Sequence, residues 1–313
     1  MLKVGLVGVG HFGKLHLKAL KKIKNIKLIG FYDINPQTSA EVEKHYNVCS
    51  FKTYKKLIEE CDVIDIVTPT SEHYNCAYEA IKAQKHFFIE KPLTDDLKTA
   101  EKLIELAYEA GVKAQVGHIE RFNPAFLAVE DIICKPKYIE AIRLQPFLKR
   151  SLDVSVILNL MIHDIDLIQE IVKSKIRKIY ASGAKVVTDS IDLANARLEF
   201  ENGCIAHLST SRIANKNQRM IKIFQKNKCI ILDLFSKKVE ILEAFLTKNQ
   251  NKTETNLVTH QPQVQQIDSI EAELVSFFDS IINNQKPKVT LEDGFYALKT
   301  AFTINEIILK NSY

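Results

Sequence analysis

Over the first third of the chain, short apolar runs alternate with longer amphipathic stretches. The runs occupy 3–7, 27–32, 63–67, 86–89 and 112–116. Continuous apolar runs of this length are what strands buried on both faces of a parallel sheet produce. Between them, apolar positions at helical spacing predict helices near 11–24, 38–46, 71–84 and 95–110. The last begins at Thr94-Asp95-Asp96, whose side chains suit an N-cap, and stops at Gly111. Strand-helix alternation of this kind predicts an α/β Rossmann domain, a doubly wound parallel sheet over 1–120.

After residue 120 the pattern changes. Strand-like segments at 138–147, 176–187, 191–200, 203–213, 219–226, 229–234 and 238–243 follow one another almost without helices, and turns such as Glu201-Asn202-Gly203 separate them. One long apolar helix, at about 154–173, interrupts the series. The stretch 247–266, rich in Asn, Gln and Thr, reads as a loop, and helices at 268–284 and 292–310, separated by Pro287 and the cap-like Thr290, close the chain. This predicts a C-terminal α+β domain over 121–313 that binds substrate and carries a large open, mainly antiparallel sheet, with the last helix placed to pack back on the first domain. One face of such a sheet needs cover, so a homodimer or homotetramer is expected.

Composition narrows the function classes. A 313-residue chain with 46% hydrophobic and 26% charged residues can bury two cores and is not a disordered segment. The net charge of +5 comes from 43 Lys and Arg scattered among 38 acids, which does not make a nucleic-acid footprint. The six cysteines include no C-x-x-C pair, so neither a zinc ribbon nor a redox dithiol is expected, and reduced thiols suit a cytoplasmic protein. No export signal and no apolar span of membrane length are read from the sequence.

The chemistry begins at Gly8-Val9-Gly10-His11-Phe12-Gly13, a G-x-G-x-x-G between the first strand and the first helix. Its glycines allow a tight turn, close approach of backbone to a pyrophosphate, and close packing of helix on strand, while the helix N-terminus offers unpaired N–H groups to phosphates. Asp33 lies 20 residues beyond Gly13 at the end of the second strand, where its carboxylate would accept hydrogen bonds from the adenosine ribose. That acid, with no cation at Ile34 or Asn35, favours NAD over its 2′-phosphorylated form.

Ligands of an open parallel sheet sit beyond the carboxyl ends of the strands. The residues there are Thr68-Pro69-Thr70-Ser71-Glu72-His73 and Glu90-Lys91-Pro92. Lys91 at a strand end beside the cofactor cleft is suited to holding a substrate hydroxyl. On the apolar helix, Asn159, His163 and Asp166 stand at i, i+4 and i+7. His163 there is read either as a general base or as a hydrogen-bonded core residue. His and Asp also ligate metals, but no second His or Cys stands at ligand spacing, so no metal is expected.

The glycine motif, Thr68-Pro69 with His73, Glu90-Lys91-Pro92 and Met161-Ile162-His163-Asp164-Ile165-Asp166 have the order and spacing of the glucose-fructose oxidoreductase/inositol dehydrogenase (Gfo/Idh/MocA) family, which the chain resembles over essentially its whole length. The junction 117–124 and the helix opening at 290–294 are also family-like. Within the family, 117–124, 159–167, 188–198 and 209–212 look most like the bacterial UDP-N-acetylglucosamine 3-dehydrogenases. The resemblance implies NAD-dependent oxidation of the sugar C3 hydroxyl to a 3-keto sugar nucleotide, which an aminotransferase converts to a 3-amino sugar for lipid A.

It further implies that His163 takes the hydroxyl proton, that Lys91 polarises the same oxygen, and that the bond preceding Pro92 is cis. It places His11, Phe12, Thr68, Pro69, His73 and Glu90, with Lys91, along the cofactor. Many family members carry Asp where this chain has Asn159, which cannot exchange a proton at neutral pH, so His163 and Lys91 carry the reaction, with Asn159 and Asp166 supporting them. Of the cations available for a diphosphate, Lys149, Arg150, Arg212, Arg219 and Arg121, the first choices are Arg121 and Arg150. The competing readings are a dehydrogenase of another UDP-sugar acid, free sugar or inositol, and a non-catalytic NAD-binding regulator.

Overall fold

A computed structural model describes residues 1–148, 154–249 and 252–311. In chain order the first elements are β1 (Leu2–Val7), α1 (His11–Leu20), β2 (Ile26–Tyr32), α2 (Pro36–Tyr46), α3 (Tyr54–Glu60), β3 (Val63–Ile66), α4 (Thr70–Lys82), β4 (His86–Glu90), α5 (Leu97–Glu109) and β5 (Ala114–Gly117). A one-turn helix, α6 (Pro124–Leu127), and β6 (Tyr138–Leu144) follow. A π turn over Ile157–Met161 then runs into α7 (Ile162–Val172). Beyond it lie β7 (Ile176–Ala184), β8 (Leu193–Phe200), β9 (Ile205–Ser211), β10 (Gln218–Gln225), β11 (Lys228–Asp233), β12 (Lys238–Asn249), β13 (Lys252–His260), α8 (Ser269–Ile282) and α9 (Leu291–Asn311).

The chain divides into two compact units, Met1–Ile119 with Ile267–Leu298, and Glu120–Gln266 with Lys299–Tyr313. In the first, five parallel strands lie in the order β2-β1-β3-β4-β5. The chain leaves β1 for β2 on one side and then crosses to β3 on the other, so the crevice beyond β1 and β3 is the switch point at which such sheets bind ligands. The expected doubly wound sheet is present. The sequence reading had no helix at 54–60; there Thr53 caps α3 by accepting from the Lys56 N–H, and Leu57 and Ile58 bury its short inner face.

Residues 267–298 cluster with this unit: α8, which the sequence reading assigned to the C-terminal domain, and the start of the last helix, which it placed to pack back on the first domain. The reason lies in the core. Leu274, Phe277 and Phe278 of α8 join Leu6, Leu17, Leu20, Phe31 and Phe88 in one buried cluster. Full burial of such side chains contributes about 1.5–3 kcal/mol each.

In the second unit the described strands form one sheet in the order β13-β12-β11-β10-β6-β9-β8-β7, antiparallel throughout except for β6 beside β9. Alternation decides its two faces. Ile139 and Ala141 of β6, Ala194, Ala196 and Leu198 of β8, and Ala206 and Leu208 of β9 are buried. Helix α7 packs on β6 and β9, and its Ile162, Ile165, Ile168 and Ile171 are buried. The opposite face presents Tyr138, Glu140, Tyr180, Arg197 and His207 around a shallow groove of about 530 Å³.

One expectation is corrected here. The stretch read as a loop from 247 to 266 is a loop only in its last part, because β12 runs on to Asn249 and β13 pairs with it in register from Ile241 opposite His260 to Asn249 opposite Lys252. Val258 and Leu257 on this edge strand are exposed, so no buried face imposes apolar alternation on it. Among the described residues no helix is long and apolar enough to cross a membrane.

Candidate functional site

The loop after β1 is built around two contacts that exclude any side chain larger than hydrogen. Gly8 has φ +85°, and its N–H donates to the Tyr32 carbonyl at 2.8 Å. A Cβ on Gly13 would lie 2.0 Å from the Gly8 carbonyl oxygen, so α1 can begin this close to β1 only with glycine there. Gly10 differs: a Cβ built on it would meet nothing within 4 Å. The space beside Gly10 is therefore open, and no side chain caps the N-terminus of α1. Free N–H groups at the positive end of a helix dipole, facing open space past a glycine, fit a pyrophosphate. His11 and Phe12 are exposed on the same turn, Phe12 at 53%.

Asp33 closes the other side of this loop. Its Oδ2 accepts from the Val9 N–H at 2.8 Å and its Oδ1 from the Asn35 N–H at 2.9 Å, which joins the end of β2 to the phosphate loop. Asn35 caps α2 by accepting from Gln37 and Thr38. The donor set and the open cradle fit NAD.

Lys91 leaves the end of β4, half-buried, and the Lys91–Pro92 bond is cis. Both of its neighbours are held by buried histidines. His73, on α4, places its Nδ1 2.8 Å from the Pro92 carbonyl and its Nε2 3.0 Å from the Thr68 carbonyl, so it ties the turn after β3 to the turn after β4. His16, on α1 and fully buried, stands between Asp65 of β3, with Nδ1 3.0 Å from Oδ2, and Glu90 of β4, with Nε2 3.1 Å from Oε1. The other Glu90 oxygen accepts the Lys91 N–H at 3.0 Å. The sequence reading missed His16 and Asp65, although His16 stands three residues beyond Gly13 on the cofactor helix and Asp65 interrupts an otherwise apolar strand.

In the second unit, His163 and Asn159 are half-buried. Asn159 lies within the π turn and His163 in the α-helix that follows, so the constant helical step assumed from the sequence does not run through both. π turns recur at functional sites. Both oxygens of Asp166 accept from Arg121, at 2.9 and 2.7 Å, and that guanidinium also donates to Glu170 at 2.9 Å. Arg121 is 2% exposed, so its donors are engaged within the fold and not presented to a diphosphate.

The acid on the other side of His163 is held in the same way. Arg143 donates to both oxygens of Asp164, at 2.9 and 2.7 Å, and to Glu120 at 2.9 Å. Two planar, charge-assisted pairs thus fix the helix on either side of His163. Of the remaining cations, Arg212 is buried and donates to the Val154 and Ile191 carbonyls. Arg219 has a half-exposed side chain 3.4 Å from Glu120. Lys149 and Arg150 lie outside the described residues.

Known proteins agree with this anatomy. Residues 2–118 match the model of an oxidoreductase family with an NAD-binding Rossmann fold, and 136–231 match the GFO/IDH/MocA C-terminal domain. The UDP-N-acetylglucosamine 3-dehydrogenase of Acidithiobacillus ferrooxidans is 36% identical over 241 residues, 77% of this chain and 76% of that protein. A solved structure of that enzyme superposes with a TM-score of 0.92 over 98% of this chain and 97% of its own, at 31% identity. The myo-inositol 2-dehydrogenase of Thermotoga maritima is 26% identical over 95% of this chain and 93% of its own. With a glycine cradle and ribose acid suited to NAD, a strand-end lysine, and both halves matched, the chain belongs to the GFO/IDH/MocA family of NAD-binding oxidoreductases.

Proposed function

We propose that this protein is an NAD-dependent sugar-nucleotide dehydrogenase that oxidises the C3 hydroxyl of a UDP-N-acetylhexosamine, with UDP-N-acetylglucosamine as the first substrate to test. The observation that carries the reading is the 36% identity to a UDP-N-acetylglucosamine 3-dehydrogenase over 77% of the chain. Bound NAD supplies the hydride acceptor. The phosphate loop holds the pyrophosphate at the N-terminus of α1, and Asp33 accepts from the ribose hydroxyls. Lys91 polarises the reacting oxygen, and His163 takes its proton as general base. Arg219, with its half-exposed guanidinium, replaces Arg121 as the described cation for the diphosphate.

Such a ketone is a substrate for a glutamate-dependent aminotransferase, and the resulting diamino sugar suits amide-linked lipid A in the cytoplasm. The open face of the C-terminal sheet, with Tyr138, Tyr180 and His207 around its groove, supports association of copies into a dimer or tetramer.

The test is NADH formation from NAD and UDP-N-acetylglucosamine, with and without the aminotransferase. Turnover that grows when the ketone is removed supports the reading. In that assay His163→Ala and Lys91→Ala should abolish turnover while sparing NAD binding. No turnover on this sugar, with NAD binding retained, moves the substrate to another polyol or sugar acid.

A further inference from the structure

Among the groups that the proposed chemistry does not use, a buried cluster of charges lies directly behind Lys91. It contains His16 of α1, Asp65 of β3, Glu90 at the end of β4 and Glu273 of α8, all within the first unit. His16, Asp65 and Glu273 are fully buried, and the Glu90 side chain is 15% exposed. Neither oxygen of Glu273 has a hydrogen-bond partner among the described residues, yet one lies within 4.8 Å of the His16 and Glu90 atoms.

The geometry constrains the protons. A carboxylate only accepts, and a neutral imidazole has a single N–H. His16 approaches carboxylates through both nitrogens, at 3.0 and 3.1 Å, so a neutral ring would set a lone pair against one of them. Both contacts are satisfied when each nitrogen carries a proton. One imidazolium then faces two carboxylates, and a third anion on Glu273 would leave the pocket doubly negative, so Glu273 stays protonated.

We propose that His16 is a positioning residue for Lys91: by donating to Asp65 and Glu90 at once it fixes the Glu90 carboxylate that accepts the Lys91 N–H, and so sets the lysine relative to the helix that opens the cofactor loop. This rests on the reading of Lys91 as the group that polarises the substrate hydroxyl.

Electrostatics supports it. Burial works against a charged His16, but Asp65 and Glu90 outweigh it and hold the imidazole well above its ordinary range. Burial, reinforced by Glu90, pushes Glu273 well above the carboxylate range. Burial also opposes ionisation of Glu90, yet His16, Lys91 and the Lys91 N–H bring it below its ordinary value. The titratable groups that bear on His16 and its two partners are thus Asp65, Glu90, Lys91 and Glu273, with Asp268 acting on Glu273. Because their folded values are raised above the unfolded ones, Glu273 and His16 contribute stability that is fully present below about pH 4.5 and pH 6.5 respectively and is lost as pH rises through those raised values, whereas burial, opposed by His16, raises Asp65, so the two-carboxylate arrangement needs a pH above that at which Asp65 ionises.

The cluster also offers the donor types of a divalent-metal site, which the experiment must separate from the hydrogen-bonded arrangement. The first measurement needs no variant. Histidine-selective ¹⁵N NMR of the intact protein, pretreated with chelator, should show one ring that stays protonated at both nitrogens as pH rises past the ordinary imidazole value of about 6.5; titration of every histidine at or below pH 6.5 overturns the proposal. Glu90→Gln, whose amide can donate to a neutral His16 while its oxygen still accepts from the Lys91 N–H, should lower kcat less than Glu90→Ala does and flatten the alkaline limb of the pH profile of kcat. Glu90→Ala and His16→Phe should lower kcat by about 10²-fold, the loss typical of a 1 Å misplacement, with NAD affinity changed far less.

Equal losses in Glu90→Gln and Glu90→Ala would overturn it. So would stoichiometric Mn²⁺ or Zn²⁺ binding that disappears in Glu273→Gln. If Lys91→Ala retains turnover, the reading of the site has failed; if Lys91→Ala is dead and His16→Phe is not, only the positioning role has.

Discussion

Replacing Arg143 by Met tests whether the buried ion pairs fix the helix that carries His163. Arg143 is 3% exposed, and it makes two hydrogen bonds to Asp164 and one to Glu120, both acids also buried. Breaking a buried pair from one side strands the partner charge and costs about 3–5 kcal/mol. Arg219 still reaches Glu120 at 3.4 Å, and Asn123 donates to its other oxygen at 2.8 Å, so most of the loss falls on Asp164.

For a unit of this size, about 3–5 kcal/mol lowers Tm by roughly 6–20 °C, measured by calorimetry with and without NAD. The sign of the pH dependence is a second readout. Burial already raises the Asp164 carboxyl; without Arg143, burial and Glu120 raise it further against Arg219 alone, so the deficit is small below about pH 4 and grows as pH rises toward neutrality. Adding Asp164→Leu should recover much of the loss, because an apolar pair of similar volume replaces an ion pair at little cost. A deficit below about 1 kcal/mol, or one that is the same at pH 4 and pH 7, would refute this account of the pair.

Gly10→Ala should leave Tm unchanged, since nothing lies within 4 Å of the new methyl, while weakening NAD by at least about tenfold in a fluorescence titration, because the methyl enters the phosphate cradle. Phe277→Ala should cost about 3–5 kcal/mol and destabilise the NAD-binding unit, which NAD-dependent protection in thermal unfolding would show. Burial alone would raise the Asp192 carboxyl, but the N–H groups of Val186, Val187 and Thr188 hold it down to about 2. Its contribution is therefore present above about pH 3.8 and lost as pH falls toward 2, and Asp192→Asn should flatten that part of an acid-unfolding curve. Cys49 and Cys134 are exposed, whereas burial pushes Cys61 up to about 12, so a thiol reagent at pH 8 should label the first two and spare Cys61.

The first unit was largely legible in the chain because its signals are local. A strand buried on both faces reads as an apolar run, a glycine cradle as three glycines at fixed spacing, and the acid that closes the loop as Asp33 at the next strand end. Edge strands carry no such signal: 256–260 of β13 is exposed along its length, so the stretch read as a loop. α3 was too short to show a helical period.

The sequence alone determined the two kinds of sheet and the cofactor chemistry, because each follows from periodicity or from a motif a few residues long. Tertiary structure decided the partners of the charges. Arg121 stood in the sequence as a cation for a ligand and Asp166 as a neighbour of His163, and only folding across 45 residues joined them. His16, Asp65, Glu90 and Glu273 come from four separate elements, and α8 enters the first core after the whole second sheet has been traversed. Which charge meets which in a dry interior depends on distances that chain separation does not encode, and low dielectric makes those meetings decisive for protonation.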